Sequence, residues 1–213
     1  MKKIIYILVT AAMLMSISAC NTAKPVAAPK NVIMPSSLTR EQQEILDLFA
    51  IADFQELMLF DFNTEESYKS IEAWVEVYHD GELVDRPAGV GRHSNIGELH
   101  DGRLAITVNQ DNTTFQWTLS MVDNGSRSGH TGKSEIDGSG LARAYGSIND
   151  PAIIEDGKEI ILYSSYFSGE DLLPFYDGIY IQEHPEIISD YPYVQLIKIK
   201  FSNDQNAGSS NND

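Results

Sequence analysis

Residues 103–121, RLAITVNQDNTTFQWTLSM, decide the fold. Leu104, Ile106 and Val108 alternate with Ala105, Thr107 and Asn109. Phe115, Trp117, Leu119 and Met121 alternate with Gln116, Thr118 and Ser120. Period-two alternation puts one set on each face of a strand. A turn at Asp111-Asn112 pairs Val108 with Phe115, Ile106 with Trp117 and Leu104 with Leu119. A slip of one residue would turn every apolar side chain to the other face, so the two strands share one buried face. The opposite face meets solvent or a ligand.

The same pattern recurs on either side. From Tyr68 to Tyr78, Ile71, Ala73, Val75 and Val77 share a face, and Asp80-Gly81 then signals a two-residue hairpin that sets Val77 opposite Val84. Lys158 to Phe167 and Tyr193 to Phe201 read as two more strands, the second with Ile197, Ile199 and Phe201 on one side and Lys198 and Lys200 on the other. Gln55 to Phe62 reads as a buried strand because Phe60 and Phe62 flank Asp61, with a continued helix as the alternative. Before it, Thr39 and Gln42 have the spacing of a capping box, and Ile45, Leu48, Phe49 and Ala52 follow at helical spacing. The sum is six or seven antiparallel strands and one short N-terminal helix. Half-apolar strands of this kind are buried by a mainly β antiparallel sandwich, immunoglobulin-like in outline, or by a partly open β-barrel.

Composition narrows the function classes. Thirty-one acidic residues face 15 basic ones in 213 residues, a net charge of -16, with 42% hydrophobic residues and one cysteine. The apolar fraction supports one packed domain. The acidity argues against nucleic acid as a partner, since nothing here neutralises a phosphate backbone. One cysteine excludes an internal disulfide and a multi-cysteine zinc site.

The first twenty residues carry an address. Lys2 and Lys3 precede Ile4 to Met15, an almost wholly apolar run with one polar interruption at Thr10. The run is short of the roughly 20 residues that span a bilayer and has the length and flanks of a signal peptide. Its end, Ile17-Ser18-Ala19-Cys20, resembles the lipobox of bacterial lipoprotein precursors. The resemblance implies that the sulfur of Cys20 receives a diacylglyceryl group, that the chain is cut just before it, and that fatty acyl chains such as palmitate anchor the mature protein to the cell membrane. Two acyl chains suffice for stable anchoring where one does not. Cleavage removes two lysines and no acids, so the mature chain is more acidic still. The expected organisation is a signal peptide over 1–19, a lipidated cysteine and flexible linker over 20–37, one β-rich domain over 38–202 and a disordered tail over 203–213.

Two stretches read as irregular. Asp123 to Asp150 is glycine-rich with few large apolar residues, and could hide a short strand near Leu141–Tyr145. Between Tyr163 and Tyr193 the chain gathers aromatic rings, among them Tyr166, Phe175, Tyr176, Tyr180 and Tyr191, interleaved with Asp171, Asp177, Glu183 and Asp190. Such rings either plug one end of the sandwich or offer stacking faces to sugars or cations.

Catalytic templates fail in turn. Gly132-Lys133-Ser134 imitates the end of a phosphate loop, but Arg127 stands where its first glycine belongs. Arg127 also occupies the serine position of a nucleophile-elbow pattern over 125–129, and no lysine follows a serine at the acyl-transfer spacing. His93 and His100 flank Glu98, with Asp101 adjacent, in a segment that reads as loop; imidazoles and carboxylates there could serve a hydrolase, yet the spacing matches no metal template. Glu72 and Glu76 share a strand face at ~13 Å, beyond the roughly 5–9.5 Å of a glycosidase pair. With Trp74 and Tyr78 they form an amphipathic platform, or else Trp74 packs under the N-terminal helix and the glutamates are solvated.

The sequence thus points to a lipid-anchored, extracytoplasmic binding or accessory protein of the bacterial cell envelope, non-catalytic and without a cofactor or metal. Its anchor is Cys20, and its candidate contact residues are Trp74, Tyr78, Tyr166, Tyr176, Tyr180 and Tyr191. Its partners are the membrane through Cys20 and a glycan, a cationic ligand or an envelope protein. An envelope hydrolase using the loop histidines and a self-protection or spacer lipoprotein are the alternatives.

Overall fold

The computed structural model describes residues 30–48, 56–93, 99–111, 113–123, 125–169, 174 and 176–204. The N-terminal address, Cys20, Phe49, Ala52, Glu98, Phe175 and most of the C-terminal tail lie outside the described residues.

Among the described residues twelve strands form two six-stranded antiparallel sheets. The strands are β1 (Val32–Pro35), β2 (Glu56–Tyr68), β3 (Ser70–His79), β4 (Glu82–Asp85), β5 (Gly89–His93), β6 (Leu99–Asp111), β7 (Thr114–Asp123), β8 (Ser126–Glu135), β9 (Ala142–Ser147), β10 (Ala152–Ile153), β11 (Glu159–Ser168) and β12 (Tyr193–Ser202). Sheet A runs β10-β1-β2-β6-β7-β8. Sheet B runs β4-β3-β12-β11-β9, with β5 also paired to β3. The helices are α1 (Arg40–Leu48), α2 (Gly178–Glu183) and a 3-10 turn over Pro185–Asp190. The result is a β-sandwich, immunoglobulin-like only in its two-layer outline.

The expected alternation builds the core. Phe60, Phe62, Leu104, Ile106, Val108, Phe115, Trp117, Leu119 and Met121 of sheet A face Ile71, Ala73, Val75, Val77, Ile197, Ile199 and Phe201 of sheet B. All are at most 2% exposed. Each large side chain so buried is worth about 1.5–3 kcal/mol of transfer free energy. A polar latch crosses between the layers. Arg143 of β9 donates to Glu56 of β2 (2.7 Å), to Ser165 (2.7 Å) and to the Tyr163 hydroxyl (2.5 Å), which itself donates to Glu56 (2.5 Å). Burial, with the nearby Glu56 carboxylate and opposed by Arg143, drives the Tyr163 pKa well above its ordinary value.

Several expectations are corrected. The β6–β7 register is Val108 to Trp117, Ile106 to Leu119 and Leu104 to Met121. The connection is therefore one residue further on than Asp111-Asn112; the shift is two residues in pairing, so both faces are preserved. Asp80-Gly81 does turn the β3–β4 hairpin, both residues having positive φ (49° and 83°). A register shift after it places Val77 opposite Asp85, not Val84, and leaves Leu83 and Val84 exposed. The folded body starts at Val32, inside the expected linker, because Ile33 is wholly buried in the core.

The glycine-rich stretch after Asp123 is not irregular. It contains β8, an edge strand paired with β7 along its whole length, and β9, which matches the suspected short strand. A Cβ at Gly132 would overlap the Pro87 carbonyl oxygen, so glycine there lets β8 close against the β4–β5 connection. The capping box of α1 forms as expected: Gln42 N–H donates to Thr39 Oγ1 (3.2 Å) and Thr39 N–H to Gln42 Oε1 (2.9 Å). Ile45, expected to share an apolar helical face, is 52% exposed; α1 lies beside β2 of sheet A, and among its described side chains Leu46 alone is partly covered.

Candidate functional site

Ser70, Glu72, Trp74, Glu76 and Tyr78 alternate along β3 with the core residues and so project from the outer face of sheet B. β12 lies alongside with Lys198 opposite Trp74, Lys200 opposite Glu72 and Leu196 opposite Glu76. On the other side of β3, Gly89 and Gly91 of β5 pair with Trp74 and Glu72.

Glu76 organises this surface. It is 2% exposed. Oε1 accepts from Trp74 Nε1 (2.9 Å) and Arg86 Nη2 (2.7 Å); Oε2 accepts from the Tyr78 hydroxyl (2.6 Å) and pairs with Lys198 Nζ (2.8 Å). Burial by itself would raise its pKa. The bonds from Lys198, Tyr78 and Trp74, with the charge of Lys198, outweigh burial and hold it at about 2. The same contact acts on Tyr78 in the other sense: burial and the bond to Glu76 push its hydroxyl up to about 12. Lys198 also reaches Glu159 of β11 at 3.0 Å.

Beside this hub lies an open cleft of about 390 Å³ lined by Glu72, Trp74, Arg86, Gly89, Gly91, His93, Glu159 and Lys200. His93 Nε2 is 3.4 Å from Glu72 Oε1, and the Lys200 ammonium stands 5.9 Å from the centre of the Trp74 ring. A depression of similar size, about 400 Å³, separates α1 from β2. Its walls are mainly aliphatic (Leu38, Leu46, Leu57, Leu59), and Gln43 and Asp47 on it bond to each other. The β3 cleft is the better candidate, because it combines an aromatic wall with convergent charged groups.

Of the sequence candidates, Trp74 and Tyr78 therefore meet at one place. Trp74 does not pack under the N-terminal helix, which borders the other sheet, and Glu76 is not solvated. The other tyrosines build a lid. Tyr166 is 1% exposed and packs with Ile161, Ile181, Val194 and Leu196, between the outer face of sheet B and the α2 segment. Its hydroxyl donates to the Pro174 carbonyl and accepts from Tyr176 N–H (2.7 Å). Tyr191 lies 4.8 Å from the Tyr166 ring, and Tyr180 stacks on Tyr176 at 5.0 Å. Burial, with Tyr176 and Tyr166 nearby, lifts the Tyr191 hydroxyl to about 12. Only Tyr180 is exposed, and Tyr78 leans on the same cluster while bonding Glu76.

The five histidines do not converge. His79 stacks on Tyr193, His93 edges the cleft, His130 is exposed on β8, His184 contacts Tyr180 and His100 lies near Asp123. Among the described residues no three His, Cys, Asp or Glu side chains are grouped to hold a metal ion, and no helix is long and apolar enough to cross a membrane.

Sequence reasoning missed Glu76 as the hub, with Arg86 and Lys198 as its partners. The available signal was the Glu-x-Tyr and Trp-x-Glu spacing on one strand face, which puts both aromatic donors within reach of one carboxylate.

Fold and cleft together define a two-sheet antiparallel sandwich domain with a polar-aromatic recess on one outer face. The family model described as the YgaN domain matches residues 32–201, and the chain belongs to that family. No curated protein and no solved structure matches it.

Proposed function

We propose that this protein is a lipid-anchored, extracytoplasmic component of the bacterial cell envelope that binds a ligand or partner without transforming it. Cys20 is its lipidated first residue, and the β3 cleft is its contact surface. The observation that carries the anchoring is the sequence Lys2-Lys3, apolar run, Ile17-Ser18-Ala19-Cys20. What supports binding over turnover is the saturation of Glu76. A carboxylate with a pKa of about 2 and four donors has no proton to give or take near neutrality. Its place is to hold Trp74, Arg86 and Lys198.

Cells fed radioactive palmitate should label the wild-type chain and retain it in the membrane fraction. Cys20→Ser should lose both label and retention. A Cys20→Ser chain that still takes up the label overturns the anchoring.

A further inference from the structure

Of the three lysine and arginine side chains in and beside the cleft, two are already held by carboxylates. Arg86 donates to Glu76, Lys198 bridges Glu76 and Glu159, and His93 stands against Glu72. Lys200 is in register between Glu72 on β3 and Glu159 on β11, yet neither takes it, because Glu72 is turned to His93 and Glu159 to Lys198. Among the described residues Lys200 has no carboxylate partner. Its ammonium lies over the Trp74 ring instead.

The geometry points to a sugar ring bearing a carboxylate, an acidic unit of a glycan, with its carboxylate on Lys200 and its C–H face on Trp74. This inference rests on the cleft being a binding surface. Trp74 has already committed its N–H to Glu76, so only the apolar ring face remains to a ligand, and that face suits the C–H side of a pyranose. Lys200 and Arg86 donate, while Glu72 and Glu159 accept. Hydroxyl groups do both, so a polyhydroxylated ring answers both sets, whereas a bare anion would leave the carboxylates opposed to it.

The net charge of -16 belongs to the whole chain and is screened beyond about 8–10 Å, whereas Lys200 acts at contact. The slot is also kept open. Gly89 and Gly91 lack side chains beside Trp74 and Glu72, although a Cβ at either would meet its nearest neighbour at an ordinary 3.5 Å. Backbone packing does not demand glycine there, but an empty cleft does.

The test uses the full chain with ¹⁵N-labelled tryptophan. Trp74 and Trp117 are its two tryptophans, and Trp117 is wholly buried in the core with its N–H on Ser134. A three-residue oligoglucuronate and its neutral glucose counterpart are the probes. The acidic trimer should shift the Trp74 indole signal to saturation and leave Trp117 in place. Lys200→Gln should weaken it about tenfold or more, and the neutral trimer should bind wild type correspondingly more weakly. Gly91→Leu should abolish the shift, with an unmoved Trp117 signal attesting the fold. Equal affinity for the two trimers, or no effect of Lys200→Gln, overturns the acidic sugar but leaves the cleft as a site. A Trp74 signal that neither trimer moves overturns the sugar altogether. Palmitate labelling is indifferent to all of these results, so the anchoring fails or survives separately.

Discussion

Glu76 and Asp123 are carboxylates of nearly equal burial, 2% and 1% exposed, and they titrate in opposite directions. Glu76 is held at about 2. Asp123 is raised, chiefly by burial and further by Asp101, against the opposing charges of Arg92 and His100. Depth cannot be the difference. Glu76 looks outward from β3 and receives donors from its own strand, from Arg86 in the β4–β5 connection and from β12. Asp123 ends the inward-facing row of β7. Both its oxygens are buried without a hydrogen-bond partner, and its nearest cation is Arg92 Nη2 at 3.8 Å. Burial pushes every carboxylate upward; the supply of donors decides whether that push is reversed.

The contrast is broken most directly at Glu76. Glu76→Ala leaves two cations and two aromatic donors without their acceptor, and stripping one partner from a buried ion pair costs about 3–5 kcal/mol. Urea unfolding should show that loss as a lower midpoint at unchanged slope. A loss below about 1 kcal/mol would mean the network is ornamental to stability.

Acid unfolding sharpens it next. The folded pKa of Glu76 lies below its ordinary 4.5, so the stability it contributes is complete above that value and is lost as pH falls toward 2. The gap corresponds to about 3 kcal/mol. Urea midpoints collected down the acid range should fall steeply for wild type and flatten in Glu76→Gln; parallel curves would contradict the hub.

Asp123 gives the smallest effect, with the slope inverted. Because its folded pKa is raised, its contribution is full below the ordinary 3.8 and is lost as pH rises through the folded value. Asp123→Asn should match wild type in acid and gain about 1 kcal/mol at neutral pH, where it relieves an unsatisfied charge. A loss of stability at both ends of the range would instead assign the weight to the Arg92 pair.

What the sequence made legible follows the same divide between local and distant causes. Period-two rows such as Ile71–Val77 and Phe115–Met121 announce their strands because each residue's burial repeats its neighbour's but one. β8 escaped notice because SRSGHTGKSE has no apolar row. As an edge strand it carries polar residues outward, and Gly132 stands where close backbone approach replaces a side chain. The β6–β7 turn was misplaced because Asp111-Asn112 has turn chemistry as good as its neighbours', and parity protected the faces from the error. The site was half legible. Trp74, Glu76 and Tyr78 were seen as one face, but Arg86 and Lys198 come from ten residues and a whole sheet crossing away, and no local pattern announces them. The rings between Tyr163 and Tyr193 were seen as packing or platform, and their distribution, Tyr166 buried and Tyr180 exposed, depends on α2 folding back over sheet B.

Because one carboxylate fixes Trp74, Tyr78, Arg86 and Lys198 when the chain folds, their torsional freedom is surrendered before any encounter. Freezing such side chains at the moment of association ordinarily costs about 0.5–1.5 kcal/mol apiece. The outer wall of sheet B is thus a stiff template, matching or refusing a guest by shape instead of adapting to it.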